Sequence, residues 1–111
     1  MPQISLEQAA QFLAEGAVVL DVRTPGEFAQ EHLAGVQNVP MAVLAEQVPK
    51  KFPDREQVLL LHCLSGGRSS QGVTVLRRLG YKNVHNLGSF MRARSILSLP
   101  EKADPSGSEG S

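Results

Sequence analysis

The chain has a single cysteine, Cys63, and no tryptophan in 111 residues. One thiol excludes an internal disulfide. The three histidines, His32, His62 and His85, stand at no recognisable zinc spacing from it, so no metal site is expected. Charge of one sign is also missing: 11 Lys and Arg balance 11 Asp and Glu. That balance leaves no basic field suited to nucleic acid or to an acidic membrane surface. No apolar run approaches the roughly 20 residues needed to span a bilayer. Glu7 and Glu15 interrupt the first apolar stretch and no Lys or Arg precedes Arg23, so no targeting segment is expected and a reducing cytoplasm is the expected compartment. No internal repeat is present.

What remains is an ordinary globular composition, 41% hydrophobic and 20% charged, in a chain long enough for one core and too short for two. The expected organisation is one domain over 1–99, acting as a monomer, and a tail over 100–111. The tail mixes charge with Pro, Gly and Ser, has Ala103 as its one apolar residue, and is expected to be disordered.

Within the domain, helical and strand patterns alternate. Gln3-Ile4 reads as a short first strand. Ser5 with Gln8 makes a capping-box pattern opening a helix to about Glu15, with Leu6, Ala9, Ala10 and Leu13 facing the core and Gly16 ending it. Val18-Val19-Leu20 reads as a buried strand that runs into Asp21-Val22-Arg23. Thr24 as N-cap and Pro25 at the first helical position start a short helix that carries Phe28 inward. Val39 closes a brief strand, and Met41 to Val48 suits a helix with Leu44 and Val48 one turn apart. Pro49 to Gln57 reads as a polar loop. A further strand over Lys82–Gly88 closes an alternating pattern that predicts a parallel sheet of about five strands with helices on both faces.

The most informative stretch is Leu59-Leu60-Leu61-His62-Cys63-Leu64-Ser65-Gly66-Gly67-Arg68-Ser69-Ser70. Its apolar start, from Val58, reads as a strand buried on both faces, and Cys63 follows at the carboxyl end. Two glycines then permit unusual backbone angles, and Ser69-Ser70 suit the start of a helix to about Leu79. On this reading Val73, Leu76 and Leu79 form its apolar stripe and Gly80 ends it. The amides of Leu64 to Ser69 can curl around the sulfur, and a helix N-terminus favours an anion there. A cysteine so placed has a lowered pKa, and the thiolate is the reactive form. A lone cysteine can also be no more than a small buried hydrophobe, but core packing does not require Gly66-Gly67-Arg68 directly after a strand.

The run Cys63-Leu64-Ser65-Gly66-Gly67-Arg68-Ser69 resembles the catalytic loop of the rhodanese family of single-domain sulfurtransferases. A second stretch resembles the family's upstream signature: Asp21-Val22-Arg23, then Glu27-Phe28, then His32-Leu33-Ala34-Gly35, then Asn38-Val39-Pro40. The spacing of four residues between Cys63 and Arg68 is that of sulfurtransferases; related phosphatase loops are longer and make room for a tetrahedral phosphate. The resemblance extends over about residues 3 to 90. Beyond Gly88 the family's second glycine and tryptophan-bearing helix are replaced by Ser89-Phe90-Met91-Arg92-Ala93, so the closing helix is expected to be altered, with Gly88-Ser89-Phe90 bordering the Cys63 pocket.

The resemblance implies a sulfurtransferase, with no metal or organic cofactor, in which Cys63 takes sulfane sulfur from a donor such as thiosulfate and passes it, as a persulfide, to cyanide or a thiol. Leu64, Ser65, Gly66, Gly67, Arg68 and Ser69 would form the substrate-binding loop, with Arg68 meeting the dianionic donor. Asp21, Arg23, Glu27 and His32 read as loop-fixing residues rather than chemical ones. The alternatives are a sulfur-carrier or sensor module that docks on a protein acceptor, and a phosphatase or arsenate reductase, which loop length and the absence of resolving cysteines disfavour.

Overall fold

A computed structural model of the chain describes residues 3–98. The expected tail over 100–111 lies outside the described residues. Nine residues, Leu6–Ala14, form α1, opened by the Ser5–Gln8 capping box with both reciprocal hydrogen bonds made. Strand β1, Val18–Asp21, leads into α2, Pro25–Gln30, which carries a second capping box between Thr24 and Glu27. A two-residue strand β2, Gln37–Asn38, is followed by a 3-10 turn at Met41–Val43 and by α3, Leu44–Lys51. Then come β3, Leu59–His62, α4, Gly67–Arg78, β4, Val84–Gly88, and α5, Phe90–Leu97.

The sheet has the order β2-β1-β3-β4 with every pair parallel. Among the described residues it holds four strands, close to the expected five or so. Gln3-Ile4 makes only a bridge to Asn86, with the Ile4 N–H donating to the Asn86 carbonyl at 3.1 Å, because the Ser5 cap commits the chain to a helix one residue later. On one face, Leu20, Val22, Leu59 and Leu61 pack with Leu44 and Val48 of α3 and Val73 and Leu76 of α4. On the other, Val19, Leu60 and Leu87 pack with Ala9 of α1 and Ala93 and Ile96 of α5. Strand alternation thus places helices on both faces.

Several local expectations need correction. Helix α3 continues through Pro49 to Lys51. A proline at its sixth position removes only one intrahelical bond, buried Leu44 and Val48 anchor the helix, and Lys50 and Lys51 suit its negative end. Phe28 is half-buried rather than core and stacks on His32, ring centroids 4.0 Å apart. Leu79 is exposed, since α4 ends at Arg78 and Gly80 turns the chain at φ +98°.

Candidate active site

Strand β3 delivers Cys63 to the carboxyl edge of the sheet. Alternation puts Cys63 on the α3–α4 side with Leu59 and Leu61, while His62 faces Phe90 of α5 across the sheet. Cys63 is fully buried. Its Sγ accepts hydrogen bonds from the Gly66 amide at 3.0 Å and the Ser69 amide at 3.4 Å, with the Ser69 hydroxyl at 3.5 Å. The turn that aims these amides requires Gly66, whose φ of +102° is closed to most side chains. Gly66, not Ser69 or Ser70, is the N-cap of α4, so Ser69 sits inside the first turn with its amide free to face the sulfur.

Burial pushes the Cys63 thiol up, but the Ser69 hydroxyl and the amides of Ser69, Gly66 and Ser65 outweigh it, and the pKa lies below the ordinary thiol value. The loop is tied to the end of β4 as the sequence implied: the Cys63 N–H donates to the Gly88 carbonyl at 3.2 Å, and the Phe90 N–H to the Leu64 carbonyl at 3.0 Å. Leu64 and Ser65 are exposed at the mouth, and Gly67 begins α4.

The Ser69 hydroxyl has one proton and three acceptors in reach: Asn86 Oδ1 at 2.7 Å, the Gly66 carbonyl at 3.1 Å and Cys63 Sγ at 3.5 Å. Asn86 thus anchors the hydroxyl 3.5 Å from the sulfur while competing with it for the one proton. Asn86 Oδ1 is itself fixed by the Gly88 N–H at 2.9 Å. Sequence reasoning passed over Asn86, although a signal existed: it lies two residues after buried Val84, hence on the Cys63 face, and a buried amide there needs partners.

Arg68 does not stand free. Its Nη1 and Nη2 donate to Oε1 and Oε2 of Glu27 at 2.8 and 3.0 Å, a bidentate pair with side chains 36% and 30% exposed. The Arg68 hydrogen bonds, with the Thr24 amide, hold the Glu27 carboxyl down to about 2. Asp21 and Arg23 of the upstream signature build a separate, buried cluster. Asp21 accepts from the Arg23 backbone N–H, Nε and Nη2, Arg23 reaches the Glu31 carbonyl at 2.7 Å, and its guanidinium lies over the Phe90 ring at 4.7 Å. His62 Nε2, 3.8 Å from Asp21, is buried without a hydrogen-bond partner, and burial outweighs that carboxylate in holding the ring's pKa below its usual value. His32 meets the Phe28 carbonyl through Nδ1 at 2.8 Å.

A parallel α/β sheet whose central strand ends in a buried thiol, cupped by amides at a helix start, defines a protein built to hold an anion on sulfur. The family model of the rhodanese-like domain matches residues 5–93, and the chain belongs to that family. It is 36% identical over 110 residues to thiosulfate sulfurtransferase 16, chloroplastic, of Arabidopsis thaliana, covering 90% of this chain and 92% of that one. To thiosulfate sulfurtransferase PspE of Escherichia coli it is 33% identical over 71 residues, covering 64% and 68%. The fold is similar to that of the human single-domain sulfurtransferase TSTD1, with a TM-score of 0.72 at 27% identity over 90% of this chain and 99% of the other. The protein is a sulfurtransferase of the rhodanese type.

Proposed function

We propose that the enzyme moves sulfane sulfur from a donor such as thiosulfate to a thiophilic acceptor through a persulfide on Cys63. The observation that carries this reading is the fully buried Sγ faced by the Gly66 and Ser69 amides. The thiolate attacks the outer sulfur of thiosulfate, the new Sγ–S bond forms as the donor's S–S bond breaks, and the electron pair leaves with sulfite. Loop amides then hold the terminal persulfide anion. Cyanide or a thiolate attacks that terminal sulfur, the persulfide S–S bond breaks, and the Cys63 thiolate is regenerated. In this reading Leu64, Ser65, Gly66, Gly67, Arg68 and Ser69 form the loop that receives the donor. The reading fits a reducing compartment such as the cytoplasm, where Cys63 stays a thiol.

A protein acceptor is favoured by one feature of the mouth. Leu64 is 56% exposed, and Met91, next to the Phe90 amide that binds the Leu64 carbonyl, is 64% exposed. A Bacillus subtilis relative, YrkF, is named as a candidate sulfur carrier, and this chain covers 50% of it at 30% identity.

The test is the intact mass after incubation with thiosulfate and desalting. Wild type gains the mass of one sulfur atom, cyanide removes it as thiocyanate, and Cys63→Ser gains nothing. Sulfur retained by the serine variant overturns the reading.

A further inference from the structure

We propose that Glu27 sets the charge selectivity of the donor site, holding Arg68 in a bidentate pair that withholds the guanidinium fork from dianionic donors. This rests on the sulfurtransferase reading above and names the donor class it favours: monoanionic sulfane donors, such as organic thiosulfonates and hydropersulfides, over thiosulfate.

The argument begins with the atoms used. A guanidinium grips two oxyanion oxygens end-on through Nη1 and Nη2 or side-on through Nε and Nη2, as Arg23 does on Asp21; in Arg68 the end-on edge, which shares Nη2 with the other, is engaged by Glu27. Glu27 comes from 41 positions earlier in the chain. It cannot simply follow Arg68 toward a ligand, because Oε1 also accepts from the Thr24 N–H at 3.0 Å and the Thr24 hydroxyl at 3.2 Å, locking it into the first turn of α2. Arg68 immediately precedes Ser69, whose amide and hydroxyl face the sulfur, and its guanidinium lies within electrostatic reach of the Cys63 sulfur, so the partly exposed pair stands beside the cradle. A dianion that captured the fork would leave the Glu27 carboxylate uncompensated beside two like charges. With the pair intact, the rim presents nearly no net charge, and a donor of lower charge loses less by it. Glu27 acts through Arg68 and is therefore a positioning residue.

The test compares Cys63 loading from thiosulfate, a dianion, and methanethiosulfonate, a monoanion that yields the same persulfide with methanesulfinate as leaving group. Glu27→Gln keeps an oxygen for the Thr24 amide but removes the charge. Its kcat/KM for thiosulfate should rise roughly three- to tenfold, mainly through KM, with a smaller gain for methanethiosulfonate. The difference should shrink near 1 M salt, where the screening length is about 3 Å. A kcat/KM that changes equally for both donors, or falls for both, overturns the proposal. Wild type gives a second measurement that does not depend on the variant folding: its thiosulfate-to-methanethiosulfonate ratio should stay nearly flat with salt, and a tenfold fall would mean that the Arg68 charge already meets the dianion. Wild type that takes sulfur from neither donor overturns the parent reading and this inference with it. Normal loading with an unchanged donor ratio in Glu27→Gln overturns the inference alone.

Discussion

Two arginine–carboxylate pairs stand near the carboxyl end of the sheet, and burial separates them. Arg23 and Asp21 are almost wholly enclosed, joined at 2.7 Å and roofed by Phe90 of the helix that closes the site. Arg68 and Glu27 are bidentate at similar distances but about one-third exposed, at the rim of the Cys63 cradle. In the first pair neither charge has water to fall back on, so it fixes structure. In the second, solvent screens the attraction, and the pair can be weakened without unfolding the domain, which suits it to modulating what approaches the sulfur.

The sharpest way to break this comparison is Arg23→Ala, which leaves the Asp21 carboxylate buried without its cation. The expected loss is about 3 to 5 kcal/mol of stability, read from the denaturant midpoint. A loss under about 1 kcal/mol would put the enclosed pair on a level with a surface one.

A smaller effect is expected inside the cradle. Ser69→Ala removes the hydroxyl beside Cys63 Sγ, so the thiol pKa should rise, because one of the hydrogen bonds that holds it down is lost. The acid limb of the loading rate against pH should move up accordingly. The sign for stability follows. A thiol whose pKa is depressed by folding adds stability above its unfolded pKa, and that contribution is lost as pH falls through the folded value. Ser69→Ala should therefore lose more stability at alkaline than at acid pH. An unmoved acid limb would mean that the hydroxyl serves Asn86 alone.

Least is expected of Arg68→Ala in stability, below about 1 kcal/mol. Its mark should instead be a donor-dependent loss, with kcat/KM for thiosulfate falling further than for methanethiosulfonate, because an unpaired Glu27 then repels the dianion more. A large loss of melting temperature with equal decline for both donors would make the rim pair a brace like the buried one.

The site was legible where its cause is local. Cys63 at the end of an apolar strand, glycines directly after it, the Ser5–Gln8 box and the Thr24 cap before Pro25 are patterns of neighbouring residues, and each folds as the pattern dictates. Reading Ser69-Ser70 as caps gave the right helix with the wrong start, because serine propensity suggested a cap where Gly66 in the left-handed region already supplies the turn. Pro49 read as a helix end, yet packing of Leu44 and Val48 against the sheet carries the helix two residues past it. Gln3-Ile4 looked like a strand but has only one residue of pairing before the Ser5 cap.

The sequence by itself determined the alternating elements, the parallel sheet and the amide cradle, since strand alternation, capping and glycine freedom act over a few residues. Only the tertiary structure decided that Arg68 faces Glu27 rather than open solvent, that Asn86 anchors the Ser69 hydroxyl beside the sulfur, and that Phe90 roofs Arg23. Each of these joins side chains from separate elements, and their meeting depends on how α2, α4, α5 and β4 pack around the end of β3. No local propensity encodes such a distance, because the packing free energy that sets it is shared across the whole core.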